Sequence, residues 1–261
     1  MTSQTMSDLV APEYLSPSSM TTFLQCPLKF KYSRIDKLVE PPTVATIRGN
    51  FVHDVLEALY RLEPDQRTLE AAKDLARTLW DSTWREVAAT LIFNDKYMHE
   101  FRWSAWWCIE NLWQIEDPQS VIPSGLETEV VADINGVRVR GFIDRYTVDN
   151  SNATISDYKT GKKPHPKYQD DKFFQLLVYA LVLNELKMCV PTKLELLFLK
   201  DSVRLEMTVT ESDLLTTQNT IAFVKNAIDA SCQDGLFKPV KHKLCDWCHF
   251  KPICPAWKGT K

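Results

Sequence analysis

The sequence predicts an α/β fold in which a sheet domain carries flanking helices and a helical insertion. Strand-type segments, rich in β-branched and aromatic residues, occupy residues 126–134, 137–148, 153–158, 193–200 and 203–209. Segments with helical periodicity or helix-capping residues occupy residues 16–25, 46–60, 68–89, 94–115, 167–186 and 210–232. A chain of 261 residues, 44% of them apolar, can bury one sizeable core with such an insertion.

Two turn signals connect the first three strands. Asn135-Gly136 is a strong two-residue hairpin signal between the first strand and the second. Residues 149–152, Asp-Asn-Ser-Asn, are a run of turn formers between the second strand and the third. A two-residue loop there places Asp149 opposite Asn152, so we expect a meander with a defined register.

The same register gathers charged residues on one face of the second hairpin. Counting back along the ladder places Asp144 opposite Asp157. Because side chains alternate along a strand, Lys159 lies on the same face as Asp157. Two carboxylates beside a lysine suit metal-assisted cleavage of a phosphodiester. The carboxylates hold Mg²⁺ or Mn²⁺, and the lysine orients the attacking water or neutralises developing charge.

Composition narrows the class of protein. No run of about 18 apolar residues occurs, so no membrane span is expected. The net charge of −3 gives no overall nucleic-acid signal, so any basic footprint must be local. Residues 1–13 are polar and lack the apolar block of a secretory signal, which predicts a disordered leader. Seven cysteines without an export signal predict a reducing, cytoplasmic compartment and favour metal ligation over disulfides.

Three cysteines near the C-terminus, Cys245, Cys248 and Cys254, have the spacing of metal ligands. A closed site needs a fourth ligand, and spacing alone leaves these candidates: Cys26, His242, His249, Cys232, Cys189 and Cys108. A structural zinc site usually has two paired arms, whereas the upstream arm here is a single cysteine, which favours an iron–sulfur cluster. Buried reduced thiols are the alternative, and Cys108, Cys189 and Cys232 lie in apolar settings typical of core cysteines.

The helical segments 68–89 and 94–115 contain six of the eight tryptophans: Trp80, Trp84, Trp103, Trp106, Trp107 and Trp113. Aromatic side chains can stack on unpaired bases. At helical spacing they are more often part of a core, and we favour that interpretation. We expect residues 64–118 to form a helical insertion against the sheet domain.

Several short motifs occur in a fixed order from Leu15 to Pro255. They are Leu15–Ser19 leading to Cys26-Pro27, Gly49–His53, Gly141–Arg145, Asp157–Gly161, Gln175-x3-Tyr179 and the C-terminal cysteines. Each is weak alone, but in this order the chain resembles the RecB-type exonucleases of the PD-(D/E)XK superfamily. Within that group it is most similar to the iron–sulfur branch, which includes a small CRISPR-associated exonuclease and the AddB nuclease domain. The resemblance implies a restriction-endonuclease-like core, a mixed sheet flanked by helices.

The resemblance also implies a role for each matching residue. His53 lies off the apolar stripe of its helix and by itself predicts no site, but it matches a family metal ligand. The implied Mg²⁺ or Mn²⁺ ligands are His53, Asp144, Asp157 and the backbone carbonyl of Tyr158. The implied catalytic residues are Lys159, Asp144, Asp157, Gln175 and Tyr179. The implied ligands of a 4Fe–4S cluster are Cys26, Cys245, Cys248 and Cys254. Ile143 occupies the position where the motif has proline. The resemblance implies that this departure is common in the RecB-type branch.

These residues lead to a functional hypothesis. Residues 14–261 would form one nuclease domain, in which residues 238–261 with Cys26 make the iron–sulfur module. The enzyme would be a metal-dependent DNA exonuclease acting on single-stranded ends, 5′-to-3′, in recombination, repair or end processing. The basic loop after the third strand supplies candidate nucleic-acid contacts, the lysines Lys162, Lys163 and Lys167.

Two alternatives remain open. The first is an end-processing nuclease of CRISPR spacer acquisition, working with a partner integrase. The second is a non-catalytic iron–sulfur scaffold that binds DNA. The complete set of Asp144, Asp157 and Lys159 speaks against the scaffold, which needs none of these side chains.

Overall fold

A computed structural model describes residues 9–150 and 152–257 of the chain. Residues 1–8 of the predicted disordered leader lie outside the described residues, and residues 9–13 form neither helix nor strand. The α-helices are α1 Pro17–Gln25, α2 Pro27–Phe30, α3 Val44–Tyr60, α4 Leu69–Leu79, α5 Arg85–Ala89, α6 Asp95–Glu110, α7 Leu112–Ile115, α8 Phe174–Glu185 and α9 Glu211–Asp234. The strands are β1 Gly125–Ile134, β2 Val137–Asp149, β3 Asn152–Lys159, β4 Val190–Phe198 and β5 Val203–Thr208.

Over the described residues, the strands form a mixed sheet in the order β1-β2-β3-β4-β5. The β2–β3 and β4–β5 pairs are antiparallel, whereas β3 and β4 are parallel. A parallel pair needs a crossover, and α8 provides it by packing on both of its strands. The sheet and its flanking helices confirm the predicted α/β class.

Both predicted turns form. Asn135 and Gly136 have φ values of 52° and 82°, the positive pair that a tight hairpin between twisted strands requires. At the second turn, Asp149 pairs with Asn152, as the two-residue loop predicts. The ladder continues to Arg145 opposite Ser156, the neighbours of Asp144 and Asp157.

Some predicted boundaries are wrong. The segment 167–186 is not one helix: a short 3₁₀ turn covers Pro166–Tyr168, another covers Asp170–Phe173, and α8 begins only at Phe174. The insertion is also less regular than its periodicity predicts, because a π-helical turn at Trp80–Trp84 separates α4 from α5. Such turns insert an extra residue, which shifts the buried face of the helix. None of the described helices combines the length and apolar character needed to cross a bilayer.

The described chain divides into two compact units. The first contains residues 9–41, 131–141 and 212–257, and the second contains residues 42–130, 142–150 and 152–211. β1 and β2 contribute residues to both. The prediction of a single nuclease domain over 14–261, with an insertion at 64–118, stays a prediction.

In the first unit, α1 begins with a well-formed cap. Ser16 accepts a hydrogen bond from the backbone N–H of Ser19, and the Ser19 hydroxyl lies 2.9 Å from the backbone nitrogen of Ser16. Leu15 is almost fully buried and forms a parallel bridge with Val139. These contacts fix the chain immediately before Cys26, which directly follows α1.

In the second unit, α3 is the central helix of the hydrophobic core. Its apolar face, which includes Ile47, Phe51, Val55 and Leu59, packs with buried residues of the helical insertion. Trp84 also donates an indole hydrogen bond of 2.9 Å to Asp54. Helical residues between 69 and 115 therefore hold in place the helix that carries His53.

A buried ionic network lies beneath the strands of the second unit. The Arg145 guanidinium, 2% exposed, binds both carboxylate oxygens of Glu116, at 2.5 Å and 2.9 Å. Arg145 also donates to the Tyr158 hydroxyl at 3.1 Å and lies over the ring of Tyr60. Arg204 adds a second cation, 3.2 Å from Glu116. The network ties Tyr158, whose backbone faces the site described below, to several elements at once.

Candidate functional site

The predicted charged residues of β2 and β3 come together. Lys159 Nζ lies 2.5 Å from Asp157 Oδ2, so the two side chains share a face, as strand alternation predicts. Asp144 Oδ2 accepts a hydrogen bond of 2.8 Å from the backbone N–H of Tyr158. The Asp157 side chain is buried, and the Asp144 side chain is 10% exposed.

His53 reaches the same place from α3. Its Nε2 lies 3.0 Å from the carbonyl oxygen of Tyr158, and its Nδ1 lies 3.5 Å from Asp144 Oδ2. The Tyr158 carbonyl, which the resemblance implies as a metal ligand, thus contacts one ring nitrogen of His53. The other ring nitrogen faces the carboxylates. A histidine held by a backbone carbonyl at one nitrogen is a common arrangement for metal ligation through the other.

The structure adds Glu127, which the motifs did not indicate. Glu127 Oε1 lies 3.7 Å from His53 Nδ1. Among the described residues, His53, Glu127 and Asp144 offer ligand atoms that all lie within 4.8 Å of one another, and Asp157 lies outside this group. One imidazole and two carboxylates are a donor set that suits Mn²⁺ or Mg²⁺.

The backbone at Glu127 is itself unusual. Its φ is 41°, in the left-handed region that residues other than glycine rarely adopt, although it lies within β1. Backbone strain of this kind concentrates at functional sites. No sequence signal for it exists, because Leu-Glu-Thr-Glu reads as an ordinary strand start with exposed acidic residues.

Crowded carboxylates shift the protonation of the site. Burial, and then the charge of Asp157, raise the pKa of Asp144 to about 7. For His53, burial alone lowers the pKa, but the neighbouring carboxylates of Glu127, Asp144 and Asp157 raise it to about 9. The protein alone therefore retains protons here, and a divalent cation would relieve the same repulsion.

Gln175 and Tyr179 of α8 extend the hydrogen-bonded side chains of the site beyond Lys159. Gln175 Oε1 accepts from Lys159 Nζ at 3.3 Å, and Gln175 Nε2 donates to the Tyr179 hydroxyl at 3.1 Å. Burial disfavours the Lys159 ammonium, but the charge of Asp157 outweighs it and raises the lysine pKa. α8 thus orients a protonated lysine towards the carboxylates.

The basic loop after β3 is exposed. Lys162, Lys163 and Lys167 all face solvent, and the backbone N–H of Lys163 donates to Asp201 at 2.5 Å. The structure thus leaves these ammonium groups accessible.

The four predicted cluster ligands, Cys26, Cys245, Cys248 and Cys254, line one cavity of about 190 Å³ in the first unit. Cys26 Sγ accepts from the Val240 N–H at 3.5 Å, and Cys245 Sγ accepts from the His242 N–H at 3.4 Å. His242 also lines the cavity, whereas Cys108, Cys189 and Cys232 are buried elsewhere.

Comparisons with known proteins agree with this geometry. The sequence profile of the PD-(D/E)XK nuclease superfamily matches residues 14–255. The Gene 69 protein of Mycobacterium phage L5 is 26% identical, with 93% of this chain and 96% of that protein covered. The Gene 69 protein of Mycobacterium phage D29 is 27% identical, with 93% and 97% covered. A crystal structure from Eubacterium rectale, of a protein with a provisional exonuclease name, superposes with a TM-score of 0.50 at 12% identity, covering 90% of this chain and 87% of that one.

Proposed function

The chain belongs to the PD-(D/E)XK nuclease superfamily, and from this premise we propose that it is a metal-dependent DNA exonuclease acting on single-stranded ends. The observation that carries the proposal is the group formed by His53, Glu127 and Asp144, next to the Asp157–Lys159 pair. An imidazole, several carboxylates and a protonated lysine on one face are the groups that metal-assisted cleavage of a phosphodiester requires.

The donor set fits a divalent metal ion. His53, Glu127 and Asp144 would hold it, and the family motif implies Asp157 as a further donor. The Tyr158 carbonyl, which the motif also implies, contacts Nε2 of His53, across the ring from the nitrogen that faces the carboxylates. An ion bound there supplies Lewis acidity, which lowers the pKa of a coordinated water and neutralises charge on the phosphate.

The side chains of the protein have separate tasks. Lys159 keeps its proton because Asp157 raises its pKa, so it acts as a hydrogen-bond donor and positive charge rather than as a base. Its ammonium stabilises the negative charge that develops on a phosphate oxygen in the transition state. Gln175 holds the ammonium in place, and Tyr179 holds Gln175. Lys162, Lys163 and Lys167 attract the phosphate backbone of the incoming strand.

We also propose that Cys26, Cys245, Cys248 and Cys254 hold a 4Fe–4S cluster. The common cavity and the backbone N–H groups directed at Cys26 and Cys245 support this assignment. With the cluster, the chain fits the RecB-type iron–sulfur branch of the superfamily.

Single strands labelled at either end test the exonuclease proposal. In Mg²⁺ or Mn²⁺, linear strands should be shortened from the 5′ end, and EDTA should stop the reaction. A circular single strand of the same sequence is the matched control and should stay intact. Cutting of the circle at the same rate would identify an endonuclease, and cleavage in EDTA would exclude the metal site.

A further inference from the structure

A groove between α4 and α6 of the second unit combines aromatic and basic side chains. Its volume is about 520 Å³. The tryptophans Trp80, Trp103 and Trp106 line it. The basic residues Lys73, Arg77, His99 and Arg102 also line it.

Helical spacing places these residues in two facing rows. Lys73 and Arg77 are four residues apart on α4, and Trp80 continues the same row one turn later. On α6, His99 and Trp103 are four residues apart, as are Arg102 and Trp106. Each wall therefore carries cations beside an aromatic ring.

The exposure of Trp103 does not fit a purely structural role. Trp80 is 4% exposed and belongs to the core, as predicted for this set, but Trp103 is 60% exposed. An indole left in water gains nothing from the hydrophobic effect. Because it lines the groove, the exposed indole can contact a ligand bound there.

The charge of the groove specifies the kind of ligand. Arg77 is paired with Asp74 at 3.1 Å, and the Arg102 guanidinium lies over the Trp80 ring at 5.1 Å. Among the described residues, no carboxylate lines the groove, although the whole chain has a net charge of −3. A local cationic surplus beside the exposed indole of Trp103 matches a polyanion with unpaired bases, since a base stacks on the ring and phosphates pair with the cations.

We propose that this groove binds unpaired DNA, with a base stacked on Trp103 and phosphates bound by Lys73 and Arg102. The inference rests on the proposed nuclease function for the identity of the ligand, and it gives the insertion a substrate-holding task. Phe51 lines the groove, and His53 lies two residues further along α3. One helix therefore borders both the groove and the candidate metal site.

Equilibrium binding of a fluorescein-labelled oligothymidylate in EDTA tests the proposal without any cleavage. Trp103→Ala should weaken binding by roughly fivefold or more, the loss expected when one base loses its aromatic platform. Trp103→Phe should restore most of the affinity. Arg102→Ala should reduce the slope of log K against log salt by about 0.7, the value for one lost phosphate contact on a single strand.

Trp107→Ala is the matched control, because Trp107 lies on the same helix and is 47% exposed but does not line the groove. It should bind the oligothymidylate like the wild type. Equal affinity of Trp103→Ala and wild type, with unchanged melting temperatures, would overturn the proposal and leave the groove to another ligand, such as a protein. Equal losses in Trp103→Ala and Trp107→Ala would also overturn it. Failure of the wild type to cleave DNA in Mg²⁺ or Mn²⁺ would contradict the proposed function instead, because binding in EDTA does not depend on it.

Discussion

Glu127 is the site residue whose role the sequence motifs did not predict. It supplies one of the two carboxylates that face Nδ1 of His53, a place that the motifs assign to other residues. We expect Glu127→Gln to weaken Mn²⁺ binding by at least about tenfold, because a charged oxygen donor is replaced by a neutral one. Isothermal titration calorimetry measures this directly.

Glu129→Gln is the control for that variant. It makes the same change of charge two residues further along β1, at an exposed position. Its Mn²⁺ affinity should equal that of the wild type. Equal affinities for all three proteins would remove Glu127 from the metal site.

Metal affinity should rise with pH between about 6 and 9. The pKa of Asp144, raised to about 7 by burial and by Asp157, means that a proton competes with the ion below that pH. The pKa of His53 is raised to about 9 by Glu127 and its acidic neighbours, so a second proton is displaced up to that pH. Titrations in buffers of different ionisation enthalpy should show proton release on binding. A Mn²⁺ affinity that is constant over this range would contradict the assignment of both residues.

The residues of the hairpin could be predicted because local rules place them. Turn formers determine the loop, the loop determines the register, and alternation then places Asp157 and Lys159 on one face. His53 and Glu127 could not be found this way. His53 reaches the site from a separate helix, and Glu127 depends on a positive φ that its sequence does not signal.

The elements of the second unit are joined by the network around Glu116. Burial alone raises the pKa of this carboxyl, but Arg145 and the hydroxyl of Tyr60 lower it below its usual value. The stabilisation by the ionised group is therefore complete above the pKa of glutamate in the unfolded chain, about 4.3, and is lost as the pH falls through the lowered folded value.

We expect Glu116→Gln to destabilise the second unit by about 3–5 kcal/mol at neutral pH, since it leaves buried Arg145 without its partner. Urea unfolding followed by circular dichroism measures the loss. Asp74→Asn, which breaks the exposed pair with Arg77, should cost less than about 1 kcal/mol. Similar losses in both variants would show that burial of the network adds nothing.

Helix boundaries were harder to predict than strands and turns. Residues 167–173 have helical periodicity, yet Pro166 starts a short 3₁₀ turn and α8 begins only at Phe174. α8 is buried on nearly every side, because it forms the crossover between β3 and β4. Tertiary packing, which no local pattern contains, decides both features. The tryptophans of the helical segments show the same limit of sequence-based prediction. All were predicted to be part of a core, but Trp84 is buried whereas Trp103 is exposed.

The thermal stability of the whole molecule should depend on the metal cluster proposed for the cysteine cavity. Metal binding contributes directly to folding when the ligands come from distant parts of the chain, as Cys26 and Cys248 would in the proposed cluster. After anaerobic purification, the wild type should be brown, and Cys248→Ala should be colourless and melt several degrees lower. Visible spectra and scanning calorimetry give both results.

Cys189→Ala is the comparison variant, because this thiol is buried away from the cavity. It should keep the brown colour. A colourless Cys248→Ala protein that melts at the wild-type temperature would contradict a structural role for the cluster. A colourless wild type with one bound zinc would replace the cluster with a zinc site.

Single-turnover cleavage of a single-stranded oligonucleotide by Asp144→Asn, at saturating Mn²⁺, tests the nuclease account most directly. Asp144 contacts both His53 and the Tyr158 backbone, so the loss of its charge removes the centre of the site. The rate should fall at least about 100-fold, whereas Asp65→Asn, an exposed change of the same kind, should cleave like the wild type. A wild-type rate in Asp144→Asn would contradict the account and show that phosphodiester cleavage takes place elsewhere on the protein.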